Sequence, residues 1–130
     1  MGVRYPGLGS NAITNTTITT TAETIVATLP ALNLAIDYEM VLLFWYAVLT
    51  TGAGTTALTA RLRRGSTATG TAVNTPTAIA ASASTAVNLA GSYIDTPGIV
   101  ASQQYVLTLQ ATGASGNATV ADVCISAICL

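Results

Sequence analysis

The sequence predicts an all-β domain: two antiparallel sheets of about eight strands packed as a sandwich. Three observations carry that expectation. Short runs of apolar and β-branched residues alternate with polar ones at period two. Gly, Pro, Asn and Asp punctuate those runs at roughly 10–15-residue spacing. Helix formers are scarce: the chain has no lysine, few Glu or Gln, and no long apolar stripe at 3.6-residue spacing.

Residues 1–19 read as an N-terminal arm with a leading strand segment, and residues 20–130 as the sandwich. Gly2, Pro6, Gly7 and Gly9 break regular structure in the arm, leaving Tyr5 and Leu8 as apolar anchors for a neighbouring subunit. A first strand is expected near Ala12–Thr20. The second, Glu23–Leu29, puts Ile25, Ala27 and Leu29 on one face, with Pro30 as its stop.

The third, Tyr38–Leu49, is apolar on both faces. Tyr38, Met40, Leu42, Phe44, Tyr46 and Val48 lie on one side, and Val41, Leu43, Trp45, Ala47 and Leu49 on the other. A sandwich strand normally keeps one face wet. Two apolar faces therefore predict that something covers the outer one, and another subunit is the simplest cover.

Thr51–Thr55, with Gly52 and Gly54, reads as a hairpin loop. The fourth strand, Thr56–Arg64, sends Leu58, Ala60 and Leu62 inward and Thr59, Arg61 and Arg63 outward. Gly65–Gly70 is a turn. A fifth strand near Thr71–Ala80 is interrupted by Pro76, which suits a sheet edge. The Ala-rich run Thr77–Ala90 is the one place where a helix competes, but its interleaved Ser, Thr, Val and Asn favour strand and loop.

The sixth strand, Thr85–Ile94, places Val87, Leu89 and Tyr93 on one side. Asp95-Thr96-Pro97-Gly98 is a strong turn: Pro presets one φ, Gly supplies a positive φ, and Asp bonds its own backbone. The seventh, Gln103–Thr112, sends Tyr105, Leu107 and Leu109 in and Val106, Thr108 and Gln110 out. The eighth, Thr119–Cys129, sends Val123, Ile125 and Ala127 to the core. Cys124 and Cys129 have odd spacing, so they face opposite ways and cannot pair along one strand. Eight such strands suit a jelly roll, with an immunoglobulin-like sandwich as the alternative.

Composition excludes several functions. With no histidine, a histidine-based triad and a histidine-ligated metal or haem are impossible; with no lysine, so are a Schiff base and a Walker-A loop. Four arginines cannot build a nucleic-acid-binding face. The apolar run Met40–Leu49 is about half the roughly 20 residues that a membrane helix needs. No enzyme and no cofactor are expected. Only 7% of residues are charged while 51% are hydrophobic, so an isolated protomer would be poorly soluble. Self-association is the expected remedy, and sheet edges without lysine point the same way.

Arg61, Arg63 and Arg64 form the one charge cluster. Ion pairing within or between subunits, a solvated strand end, and an anion or glycan site all fit it. Asp37 and Glu39 are the expected partners, with Asp122 a further one. An aromatic platform of Phe44, Trp45, Tyr46 and Tyr105 could stack on a sugar, though core packing is the commoner use of such residues. The interface set expected from sequence is Tyr5, Leu8, Trp45, Arg61, Arg63 and Arg64.

Four segments carry a resemblance: Thr20–Pro30, Gly54–Gly65, Asp95-Thr96-Pro97-Gly98, and Tyr105–Gln110. Together they resemble small phage virion proteins with a tumour-necrosis-factor-like or viral jelly-roll fold. The resemblance runs from about Thr20 to Leu130 and leaves out the arm. It implies a homotrimer in the virion that acts as a capsid decoration (cement) protein on the major capsid protein. A fibre-tip module binding a receptor or glycan, and a self-assembling coat or pilus-like subunit, are the alternatives. It implies no catalytic residue.

Overall fold

The structure is a computed structural model, and it describes residues 10–11, 16–19, 22–32, 34, 40–74, 76, 78–98, 102–113 and 117–130. Tyr5, Leu8, Asp37, Tyr38 and Glu39, singled out above, lie outside the described residues. The described residues form nine strands: β1 (Ser10–Asn11), β2 (Thr16–Thr19), β3 (Thr24–Leu32), β4 (Val41–Thr51), β5 (Ala57–Arg64), β6 (Ile79–Ala80), β7 (Ala86–Asp95), β8 (Gln103–Thr112) and β9 (Asn117–Cys129). No helix occurs among the described residues, and the Ala-rich run is strand and loop as expected.

One sheet has the order β1-β9-β4-β7, with β2 also on β9; the other has the order β3-β8-β5-β6. All pairings are antiparallel. The pairs β2–β9, β3–β8, β4–β7 and β5–β6 are nested, like one long hairpin rolled up on itself. That nesting makes the sandwich a jelly roll rather than an immunoglobulin-like fold. β1 and β2 also lie against β3, which closes that side of the sandwich.

The core lies between the sheets. Leu43, Ala47 and Leu49 of β4, Val123, Ile125 and Ala127 of β9, Leu58 and Leu62 of β5, and Tyr105, Leu107 and Leu109 of β8 are all buried. Period-two patterning placed those of β5, β8 and β9 correctly, whereas on β4 it left open which apolar face is the core. Burial of this kind stabilises by roughly 1.5–3 kcal/mol per large side chain. Cys124 points outward and is half-buried, whereas Cys129 is buried; both are free, as their spacing requires.

Several local expectations need correction. A register shift between Ile25 and Ala27 marks a bulge in β3, so Val26 and Ala27 are both buried and Ile25 leaves the predicted face. Pro30 does not end β3; it sits exposed within it, and the strand runs to Leu32. Thr51–Thr55 is not a hairpin loop, because β4 and β5 belong to different sheets. The fifth strand shrinks to the two residues of β6, plus an isolated bridge between Ala72 and Arg63. Val106 and Thr108 were expected outside but are fully buried. The turn after β7 is as read, with Gly98 at φ 80°.

Candidate functional site

Two surfaces were built from the outward positions of the two sheets, and they differ sharply. On the β3-β8-β5 sheet the outward positions hold charge. Glu23, just before β3, faces Arg63 with a bidentate contact: Nε to Oε1 at 2.5 Å and Nη2 to Oε2 at 2.8 Å. Arg61 lies 3.5 Å from the same carboxylate and donates to Gln110 Oε1 at 3.1 Å. The Thr108 hydroxyl also donates to Glu23. This cluster covers Thr108, which explains its burial. Chiefly the Arg63 hydrogen bond, working against burial, holds the Glu23 carboxyl below its ordinary range.

Arg64 does something else. It donates two bonds to Asp95, at 2.8 and 2.6 Å, and the Tyr105 hydroxyl donates to Asp95 at 2.7 Å. Asp95 ends β7 in one sheet, while Arg64 and Tyr105 belong to the other. The trio therefore clamps the two sheets together at one end. Burial would raise the Asp95 pKa, but the Arg64 and Tyr105 hydrogen bonds outweigh it and leave the carboxyl below its usual value. Burial, and then Asp95 itself, push the Tyr105 phenol well up. All three arginines thus have partners within the chain. The partners are Glu23 and Asp95, not Asp37 or Glu39. Glu23 lies about 40 residues away along the chain and gave no sequence signal of this role.

The outer face of the β1-β9-β4-β7 sheet is the other surface. Its β4 row is Leu42, Phe44, Tyr46 and Val48. In register beside it stand Ile128, Ser126, Cys124 and Asp122 of β9, and Ile94, Ser92, Ala90 and Asn88 of β7. Met40 extends the row, paired with Leu130. Met40, Phe44, Tyr46, Ile94 and Ile128 are 38–52% exposed. Exposed large apolar side chains gathered on one face make it the candidate interaction surface of the chain. A register shift beside Val48 puts Ala121 and Asp122 both on the exposed side, and the Tyr46 hydroxyl donates to Asp122 at 3.1 Å. That bond raises the Tyr46 pKa. Burial, then Asp122, raise the Cys124 thiol as well, the reverse of what a nucleophile needs.

Trp45 points the other way, to the inner side of β4, and packs half-buried on the core. Its indole lies over Gly91, its cross-strand neighbour, where a Cβ would sit 2.8 Å from Nε1. Tyr105 is buried. The four aromatic residues therefore do not share one platform: only Phe44 and Tyr46 lie together on the surface. Among the described residues no cluster of three or more His, Cys, Asp or Glu could hold a metal ion.

Fold and surface together define a jelly-roll domain with one charged outer face and one outer face rich in exposed apolar side chains. No protein-family model matches the chain, and no curated protein matches its sequence. Solved structures match its fold. The Eiger TNF from S. frugiperda aligns with a TM-score of 0.60 at 8% identity, over 97% of this chain and 94% of that one. A chain of the T13 IBDV viral particle aligns with a TM-score of 0.61 at 9% identity, over 94% of this chain and 30% of that one. VP2 of infectious bursal disease virus, in T=1 particles of a D431N mutant, aligns with a TM-score of 0.53 at 11% identity, over 94% and 31%. This chain thus spans less than a third of the viral chains, and at these identities the likeness is one of fold.

Proposed function

We propose that this chain is a non-enzymatic structural protein of a phage virion. Its protomers associate as a homotrimer through the apolar outer face of the β9-β4-β7 strands, and the trimer decorates and cements the head by binding the major capsid protein. The observation that carries this reading is that face: five large apolar side chains stand 38–52% exposed on one surface of a chain that is only 7% charged. Burying such side chains releases roughly 25 cal/mol per Å² of apolar area, enough to tie subunits together mechanically. Trp45 supports the face from beneath, and Arg61, Arg63 and Arg64 lock the opposite sheet, so their part in the interface is indirect. Tyr5 and Leu8 anchor the arm on a neighbour.

Sedimentation of the purified chain at micromolar concentration tests the association. The expected result is an assembly of trimers. The Phe44→Asp variant, which sets a charge in the middle of the face, is expected to lose the trimer and keep its far-UV circular dichroism. A wild-type chain that sediments as a monomer refutes the reading. Binding of the wild-type chain to undecorated heads tests the cement role, and absence of binding at saturating concentration refutes it.

A further inference from the structure

β7 is ten residues long and forms the edge of its sheet. Its inner side pairs with β4 in unbroken register from Ala86 to Asp95. The Thr51 amide donates to the Thr85 carbonyl at 2.9 Å, which fixes the odd-numbered residues as those whose backbone groups point to β4. The amides and carbonyls of Ala86, Asn88, Ala90, Ser92 and Ile94 therefore point away from the sheet. Among the described residues nothing pairs with them. Natural edges of this length are blunted by lysine, proline, a bulge or an inward charge. β7 has no lysine, no proline and no register shift, and its one charge, Asp95, is already held by Arg64 and Tyr105.

The edge is also complementary to itself. An antiparallel strand centred on Ala90 sets Ala90 against the partner's Ala90, Ser92 against the partner's Asn88, and Ile94 against the partner's Ala86. On the inner side, Tyr93 meets the partner's Val87, an aromatic against a β-branched residue. Gly91 meets the partner's Leu89. No like charges meet. Small side chains at the centre let the backbones approach. We infer that β7 pairs antiparallel with β7 of a second copy about a twofold axis at Ala90, making about ten new backbone hydrogen bonds and joining two five-stranded sheets into one. This contact uses the backbone edge rather than the apolar face, and it stands whether or not the face forms a trimer.

Two variants test it. Ala90→Pro removes an amide that bonds nothing within the chain, so the fold is expected to keep its circular dichroism and melting temperature. Its mass by light scattering is expected to fall by half: from six copies to three if the trimer also forms, or from two to one if it does not. In a Cys124→Ser background, Ala90→Cys is expected to form an intermolecular disulfide under mild oxidation. Hydrogen-bonded partners stand about 5.5 Å apart between Cα atoms, within disulfide reach. Ala53→Cys, on an exposed loop, is the control. An unchanged mass for a folded Ala90→Pro variant overturns the inference. So does Ala90→Cys cross-linking no faster than the control, which remains decisive if the proline variant fails to fold.

Discussion

Replacing Asp95 by Asn cuts the clamp between the sheets with little change of shape. Asp95 is only 5% exposed and accepts three bonds, two from Arg64 and one from the Tyr105 hydroxyl. The amide retains one acceptor and turns a donor toward a guanidinium. A hydrogen bond to a charged group is worth roughly 1.5–3 kcal/mol net, which sets the Tyr105 share. The Arg64 side chain is 36% exposed and can return to water, so its share is nearer 0.5–1 kcal/mol. The expected loss is about 2–4 kcal/mol. With a urea slope of about 2 kcal/mol/M, the midpoint falls by roughly 1–2 M. Chain concentration must be held fixed, because the association proposed above would add to stability. Tyr105→Phe leaves Arg64 on the carboxylate and is expected to cost less, about 1.5–3 kcal/mol. The double variant should then be less destabilised than the sum of the two. The Asp95 carboxyl sits below its ordinary value of 3.8 in the folded chain, so its contribution is complete above that pH and is lost as pH falls through the lower, folded value. The gap between wild type and Asp95→Asn is therefore constant near neutrality and closes in acid. An unfolding free energy unchanged within about 0.5 kcal/mol at pH 7 refutes the clamp.

Glu23→Gln leaves Arg61 and Arg63 without their carboxylate and is expected to cost about 1–3 kcal/mol by urea unfolding; because the Glu23 pKa is lowered from 4.5, this contribution too is present above that pH and is lost in acid. Gly91→Val drives a side chain into the Trp45 indole and is expected to cost about 1–3 kcal/mol, with a red shift in the fluorescence of the chain's one tryptophan. Removing residues 1–9 is expected to leave circular dichroism and oligomeric mass unchanged while lowering occupancy on heads, as measured by electron microscopy.

Legibility in the sequence followed the range of the interaction. β8 has the bounds that alternation predicts, Gln103–Thr112, and the opposite facing of Cys124 and Cys129 follows from spacing alone. The two apolar faces of β4 announced the patch before any strand order was known. What failed was non-local. A hairpin loop and a sheet-to-sheet corner use the same glycines, so Thr51–Thr55 could be read either way. The bulge in β3 is set by its register on β8, not by its own residues. The burial of Thr108 comes from Glu23, just before β3, and Arg61 of β5. Asp95 was legible as a turn former but not as the partner of Arg64, since that pair exists only once the two sheets stack.

The place of β9 between β4 and the β1/β2 pair has a kinetic consequence. The strand made last from this sequence is the one that joins the earliest strands to the middle of the sheet. On the ribosome, β4 and β7 can form their ladder early, while the third row of the apolar face, Cys124 to Ile128, is not yet synthesised. Rolling up such distant segments is slow, because the entropy of closing long loops is lost before the contacts form. One late strand therefore supplies both the third row of the apolar face and the link to β1 and β2, so the two are completed in the same step.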